Sequence, residues 1–228
     1  MQIEVGVSRL TRPPVDALIP LAKQLEASGI DAMWFADHFL NWYPPSVWTP
    51  DIFAQAATEP SAHTFVDPAP YMGAVATHTE RMMLGTGVTD AIRRHPAVVA
   101  QTFSTVHHMS HGRARLGVGV GQAENVVPYG LPYERTASRL IEFVEVVRLL
   151  WSTTDPVSFS GEFFELNDAI LGLGPYAGTH PEIWIPAHRP RVLDAVGRLA
   201  DGWIPIIADP GEYRRMLATI RAASERAA

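Results

Sequence analysis

An acid and a histidine stand where a short apolar segment ends, and side chains of these types could bind a ligand or transfer protons. Residues 32–36 are apolar, Asp37 and His38 follow directly, and Trp42 comes four residues after the histidine. In parallel α/β folds, ligands bind at the carboxyl ends of the strands. The alternative is an aspartate that caps the chain beside a surface histidine. The residues themselves leave both interpretations open.

A metal site is not predicted, although the chain contains nine histidines. His107, His108 and His111 fall at the end of one predicted helix, where the helix dipole favours histidine without any metal. His107 and His111 would need an open face and a third ligand. The chain also lacks an H-E-x-x-H pattern or a carboxylate triad with metal spacing.

Glycine occupies every second position of residues 117–121, GVGVG, at the end of another predicted strand. The spacing differs from the G-x-G-x-x-G pattern of dinucleotide-binding folds. Alternate glycines let a ligand or another backbone segment lie close to a strand end. Close packing without a ligand explains them equally well.

Four arginines lie in predicted loops between a strand end and a helix start: Arg93, Arg94, Arg189 and Arg191. These positions suit phosphate, because helix N-termini attract anions and arginine binds phosphate oxygens in pairs. Arginines in loops are mostly just solvated. A phosphate-bearing ligand is therefore one of two interpretations.

The elements that would position these residues alternate between strand and helix. Segments that are apolar and predicted as strands are residues 3–7, 32–36, 82–88, 114–121, 181–187 and 202–207. Helical spacing of apolar residues predicts helices that begin at Pro13, close near Arg81, run from Pro96 to Gly112, and cover 192–199 and 213–226. Nearly continuous apolar strands between helices are typical of a parallel sheet covered on both faces.

The count of strands predicts an incomplete barrel. A closed (β/α)₈ TIM barrel has eight βα units in about 250 residues, whereas about six units are found in these 228 residues. Residues 38–70 form an insert rich in proline and aromatic residues, with a short helix near 53–57, and residues 159–166 predict a small hairpin. No linker divides the chain. A single domain over residues 1–228, lacking the last βα units, is expected.

Composition argues against several classes of function. A net charge of −6 without any basic cluster argues against binding to nucleic acid or to anionic membranes. No apolar run approaches the roughly 20 residues of a membrane span, and the N-terminus lacks the pattern of a signal peptide. The absence of cysteine excludes disulfides and thiolate nucleophiles, and it fits a cytoplasmic protein.

An ordered series of short motifs resembles the luciferase-like flavin and deazaflavin oxidoreductases, which are (β/α)₈ barrels. The motifs are LEASGID (25–31), ADHF (36–39), MLGTGV (83–88), PAVVAQ (96–101), GRA with GVGVG (112–121), EIW (182–184) and GRLADGW (197–203). Each motif is weak alone, but they follow the family order over essentially the whole chain. Within the family, residues 37–42, 89–91, 94–98, 128–130, 174–176, 187–190 and 203–206 are most similar to the coenzyme F420 branch.

The resemblance implies an F420-dependent oxidoreductase that transfers hydride from reduced F420 to a ketone of a lipid or another apolar substrate. One alternative is an FMN-dependent monooxygenase of the same fold. The other is a non-catalytic remnant, because an unclosed barrel leaves strand edges unpaired. The resemblance also allows a homodimer.

Roles for individual residues follow from the resemblance alone. It places His38 beside the substrate carbonyl, as proton donor or electrostatic stabiliser, and Trp42 against the cofactor ring. Asp37 would hydrogen-bond the deazaflavin head, and the Gly87-Val88 bond would be a non-prolyl cis peptide behind the ring. The remaining residues implied to contact the cofactor are Gly121, Gln122, Asn125, Ala187, His188 and Arg189.

One departure from the family pattern qualifies these implied roles. The family pattern carries a glutamate where this chain has Gln122, and a neutral amide cannot act as a general acid. The insert is rich in aromatic side chains that suit an apolar pocket wall, and that suit contact with a second subunit equally well: Trp42, Tyr43, Trp48, Phe53 and Phe65.

Overall fold

The chain forms a curled, mainly parallel sheet with helices in the connections between its strands. The computed structural model describes residues 3–9, 11–59, 61–206 and 209–227. Its strands are β1 (Gly6–Arg9), β2 (Ala32–Phe35), β3 (Met83–Thr86), β4 (Thr89–Asp90), β5 (Ala114–Gly119), β6 (Val157–Ser160), β7 (Glu165–Ala169), β8 (Glu182–Pro186) and β9 (Gly202–Ile204). Its α-helices are α1 (Leu18–Ala27), α2 (Pro68–Ala76), α3 (Pro96–Met109), α4 (Thr136–Ser152), α5 (Pro190–Leu199) and α6 (Pro210–Ala227).

Strand order confirms the predicted parallel sheet. The strands lie side by side in the order β1, β2, β3, β5, β8 and β9, all in parallel, while β4 pairs separately with β5. The antiparallel pair β6 and β7 is the predicted hairpin. In the β2–β3 register, Phe35 lies opposite Thr86. Asp37 and the Gly87-Val88 bond therefore leave the sheet at the same edge.

Burial explains why these strands read as apolar runs. Strand side chains less than 2% exposed include Met33, Phe35, Leu84, Leu116, Val118, Ile183 and Ile185. They form one cluster with apolar residues of the helices, including Val75, Val99 and Leu140. Among the helices in the described ranges, none is long and apolar enough to cross a membrane.

Several element boundaries differ from the prediction. The first strand begins at Gly6 and not at residue 3. The predicted helix at Pro13 is a 3₁₀ turn over Val15–Ala17 followed by α1 from Leu18, and the short helix near 53–57 is a 3₁₀ turn over Ala54–Ala57. The predicted strand 82–88 is shorter in the structure, where β3 ends at Thr86, and the short strand β4 begins at Thr89, after Gly87 and Val88.

Helix α4 was missing from the predicted elements. It is 17 residues long, and it packs its apolar face into the core. The apolar face repeats at helical spacing, with buried residues Leu140, Phe143, Val144, Val147, Leu150 and Trp151. The spacing that predicts an amphipathic helix was therefore present in the sequence.

The three histidines at the end of α3 have separate surroundings. His107 is 3% exposed, its Nδ1 lies 3.4 Å from the backbone nitrogen of Ala114, and its Nε2 lies 3.2 Å from the hydroxyl of Thr179. His108 binds the carbonyl of Gly174 through Nε2, and His111 stacks on Tyr176. Within the described ranges, no group of three or more histidine, aspartate or glutamate side chains is arranged to hold a metal ion.

Acid is expected to destabilise the fold through His107. Burial, followed by the neighbouring His108 and His180, lowers the pKa of His107 from 6.5 to about 4. Because the folded-state pKa lies below the unfolded one, the neutral ring contributes stability that is present above about pH 6.5 and is lost as the pH falls towards about 4. The loss is expected to reach about 2–3 kcal/mol.

Urea unfolding of the wild type and of His107→Gln, from about pH 7 down to about pH 4.5, measures this contribution. The free energy of unfolding should fall more steeply with acid in the wild type than in the variant. Parallel pH profiles for the two proteins would show that His107 does not carry the effect.

Candidate active site

A cleft of about 390 Å³ opens at the carboxyl ends of the parallel strands. Its lining residues are Asp37, His38, Leu40, Asn41, Trp42, Tyr43, Phe65, Gly87, Val88, Thr89, Asp90, Gly119, Val120, Gly121, Gln122, Asn125, Pro186 and Ile206. Most of them directly follow or end β2, β3, β4, β5 or β8. The size lies within the usual range of small-molecule sites.

One wall of this cleft includes three glycines, Gly87, Gly119 and Gly121, which have no side chains. The Gly87-Val88 peptide is cis, as the sequence resemblance implied, and Gly121 has a φ of 80°, which favours glycine. A Cβ at Gly119 would lie 3.1–3.2 Å from side-chain atoms of Pro186 and Val88. Gly117 is explained by packing, since a Cβ there would lie 1.9 Å from the carbonyl oxygen of Thr86. The glycine pattern therefore serves both close packing and the cleft.

A buried charge network lies beneath the cleft. The Arg93 side chain is 6% exposed, its guanidinium lies 3.1 Å from Oδ1 of Asp37, and it also forms an ion pair with Asp90. It donates a hydrogen bond of 2.7 Å to the Asp37 carbonyl, and Thr89 donates one of 2.6 Å to Oδ2 of Asp37. Burial acts to lower the pKa of Arg93, but the carboxylates of Asp37 and Asp90 outweigh it and raise the pKa. Arg93 is thus paired within the protein and not free to bind phosphate.

Asn125 joins the two loops that carry His38 and Gln122. It is 2% exposed, and its Oδ1 accepts hydrogen bonds from the backbone nitrogens of Phe39 (2.6 Å) and Leu40 (2.8 Å). Its Nδ2 donates to the Leu40 carbonyl (3.1 Å) and to Oε1 of Gln122 (3.3 Å). The same nitrogen lies 3.4 Å from Nδ1 of His38. The amide therefore fixes both loops at the edge of the cleft.

His38 is half-buried in the wall of the cleft, with its ring edge-on to Phe65 at a centroid distance of 5.4 Å. Burial lowers its pKa, and the Arg93 guanidinium lowers it further against the opposing effect of Asp37, Glu124 and Asp90. The ring is therefore neutral at pH 7. In the described part of the chain, Nδ1 faces Asn125, whereas Nε2 has no hydrogen-bond partner.

Arg12 holds the aromatic insert against the sheet. Its guanidinium lies 4.8 Å from the ring of Trp48 and 4.6 Å from the ring of Phe65, and it binds Glu59 at 2.7 Å. It also donates to the backbone carbonyl of Ala62. Because Phe65 contacts His38, this anchoring shapes the wall around the histidine.

The structure brings eight of the predicted site residues into the cleft: Asp37, His38, Trp42, Gly87, Val88, Gly121, Gln122 and Asn125. Trp42 stands at its mouth and is 68% exposed. Of the insert, Phe65, Tyr43 and Trp42 line the cleft, while Trp48 and Phe53 stack on each other.

Three predicted cofactor contacts lie outside the cleft lining: Ala187, His188 and Arg189. Ala187 is buried, and its carbonyl accepts a hydrogen bond of 3.0 Å from Trp203. His188 and Arg189 are exposed at the start of α5, where an anion could be bound. Their contact with a cofactor stays a prediction, as do the roles of the residues inside the cleft.

Sequence reasoning missed Thr89, Asp90 and Leu40 as cleft residues, and it missed the pairing of Arg93. Thr89 and Asp90 belong to a motif that resembles the F420 branch, which was a usable signal. The pairing of Arg93 with Asp37 joins residues 56 positions apart and has no signature in sequence spacing.

Comparison with known proteins gives consistent matches. The family model described as luciferase-like monooxygenase matches residues 1–228. The phthiodiolone/phenolphthiodiolone dimycocerosates ketoreductase of Mycobacterium kansasii is 40% identical over 204 residues, which are 88% of this chain and 56% of the relative. The F420-dependent glucose-6-phosphate dehydrogenase of Amycolatopsis mediterranei is 34% identical over 192 residues, which are 82% of this chain and 52% of the relative.

The fold is also found in solved structures. An F420-dependent secondary alcohol dehydrogenase, in complex with an F420–acetone adduct, superposes with a TM-score of 0.84 at 27% identity, covering 100% of this chain and 65% of the other. This chain thus spans between half and two thirds of the length of these relatives.

Proposed function

Because the chain belongs to the luciferase-like monooxygenase family, we propose that it is an F420-dependent oxidoreductase that reduces a ketone of an apolar, lipid-type substrate. The family and the barrel fold predicted from the sequence motifs are confirmed. The relatives that carry the proposal further are a ketoreductase and two F420-dependent dehydrogenases. A homodimer and a cytoplasmic location stay predictions.

The residues of the cleft fit a fused-ring cofactor. Gly87, Gly119 and Gly121 line the cleft without side chains, so a flat ring system bound there would lie close to the main chain. Arg93 pairs with both Asp37 and Asp90, so its positive charge offsets one of the two negative charges and weakens the repulsion that the cleft would exert on an anionic cofactor. The residues that would hold the ring are these backbone segments and Gln122. The start of α5, with His188 and Arg189, would hold a phosphate arm.

The observation that carries the proposal is that His38 lines the same cleft as Gly87, Gly119 and Gly121. Reduced F420, when bound, would supply the hydride for a carbonyl carbon, and the proton that completes the alcohol would come from solvent. The protein's own contribution is a hydrogen-bond donor for the carbonyl oxygen, where negative charge develops. Val88, Val120, Phe65 and Leu40 supply apolar walls that exclude water and suit a substrate without charge near its carbonyl.

The test mixes purified protein with reduced F420 and a series of unbranched ketones, and follows the fluorescence of oxidised F420 as it forms. The proposal predicts oxidation that depends on the ketone and on the protein. If F420 binds but no ketone accelerates its oxidation, the reductase proposal fails. FMN that copurifies with the protein and supports oxygen consumption would favour the monooxygenase alternative.

Gln122→Glu is expected to raise the pKa of His38. Oε1 of Gln122 accepts from the same Asn125 amide group that faces the His38 ring. A carboxylate at this position would favour the imidazolium, making it about ten times more abundant at a given pH. Titration of the His38 ring by NMR measures the effect.

Glu124→Gln is the matched control for this change, since Glu124 already acts to raise the pKa of His38. The control should shift the titration of His38 in the opposite direction, towards lower pH. Shifts of the same sign in the two variants would contradict the electrostatic account.

A further inference from the structure

The hydrogen bonds of Asn125 determine which way its amide faces. The backbone nitrogens of Phe39 and Leu40 both donate to one side-chain atom of Asn125, at 2.6 and 2.8 Å. That atom must be the oxygen, because only the oxygen accepts hydrogen bonds. The NH₂ group consequently points to the Leu40 carbonyl, to Gln122 and to Nδ1 of His38.

The orientation of Asn125 has a consequence for the histidine ring. A nitrogen that faces an NH₂ donor at 3.4 Å is favourably placed only if it carries a lone pair. In a neutral imidazole one nitrogen is the acceptor and the other is the donor. With Nδ1 as the acceptor, the proton resides on Nε2, which has no hydrogen-bond partner in the described part of the chain.

We propose that Asn125 is a positioning residue that selects the Nε2–H tautomer of His38, so that the ring meets a substrate oxygen as a neutral hydrogen-bond donor and not as a general base. The part of this inference that concerns the substrate rests on the proposed function. The tautomer is a property of the protein alone.

The environment of the ring supports a neutral donor. Arg93 lies close enough to His38 to disfavour a second positive charge, and Phe65 packs edge-on against the ring. A general base would need a lone pair on Nε2, which requires the proton on Nδ1, directly against the Asn125 amide. A neutral imidazole can stabilise a developing oxyanion by donating a hydrogen bond, as in triosephosphate isomerase.

The experiment is two-dimensional proton–nitrogen NMR of protein labelled with ¹⁵N-histidine, at neutral pH and without cofactor. Comparison with His38→Gln identifies the signals of His38 among those of the nine histidines. The inference predicts that Nε2 carries the proton in the wild type. A wild-type ring protonated on Nδ1 would overturn it.

Asn125→Asp tests whether Asn125 selects the tautomer. A carboxylate can still accept from the two backbone nitrogens, but it presents an acceptor to Nδ1, so a proton on Nδ1 is expected. Asn167→Asp, on the exposed hairpin strand β7, is the matched control and should leave His38 unchanged. Should Asn125→Asp fail to fold, Asn125→Ser removes the fixed amide and should give a mixture of the two tautomers.

An unchanged Nε2–H ring in a folded Asn125 variant would overturn the positioning role. The failure of this inference is distinguishable from failure of the proposed function, because the NMR measurement needs no cofactor. Conversely, a protein with the predicted tautomer that binds no F420 would retain the inference about the ring and lose the proposed reaction.

Discussion

Replacement of Arg93 by methionine is expected to lower the free energy of unfolding by about 3–5 kcal/mol, because it leaves two buried carboxylates without their cation. The Arg93 side chain is 6% exposed, and its partners Asp37 and Asp90 are buried to a similar degree. The guanidinium also packs 4.7 Å from the ring of Phe39. Urea unfolding at neutral pH measures the loss.

The adjacent Arg94 offers a matched control of the same chemistry. It forms an ion pair of 2.7 Å with Asp67, but these side chains are 29% and 49% exposed. Arg94→Met should therefore cost less than about 1 kcal/mol. Equal losses for the two variants would show that the buried network does not hold the strand ends together.

Replacement of His38 by alanine is expected to lower the turnover of ketone by about 10²–10³-fold, the usual cost of removing one donor to a developing oxyanion. Affinity for F420 should change much less, because the ring is proposed to bind the substrate oxygen and not the cofactor. The measurement is steady-state oxidation of reduced F420 with saturating ketone, together with a separate cofactor titration.

His78→Ala is the control, since His78 is exposed at the end of α2. It should retain turnover within about twofold, as is usual for exposed residues away from a site. The assignment of His38 to the carbonyl would be wrong if His38→Ala bound F420 much more weakly than the wild type but, once saturated with F420, reduced the ketone at the wild-type rate.

The inner part of the sheet could be predicted from the sequence because strands β2, β3 and β5 are largely buried on both faces. Residues such as Met33, Leu84 and Leu116 make continuous apolar runs that a local pattern detects. The break between β3 and β4 could not be read from such a run, because Gly87 and Val88 continue the pattern in composition although neither belongs to a strand. Helix α4 was missed although its pattern was present.

Site residues that directly follow a strand could be predicted from the sequence. Contacts between site residues that are distant in the chain could not. Asp37 and His38 were found because β2 ends in front of them, and Asn125 because its position resembles the family. The pairing of Arg93 with Asp37, and of Asn125 with the His38 loop, joins residues more than fifty positions apart. No periodicity records such contacts, since they depend on how the loops fold over the strand ends.

The measurement that tests the proposed function most directly is a titration of F420 with the purified protein, followed by quenching of the cofactor's fluorescence and repeated with FMN as competitor. The account predicts saturable quenching with a Kd on the order of 1 μM, and little displacement by FMN. Absence of quenching at protein concentrations on the order of 100 μM, or tight binding of FMN in its place, would contradict it.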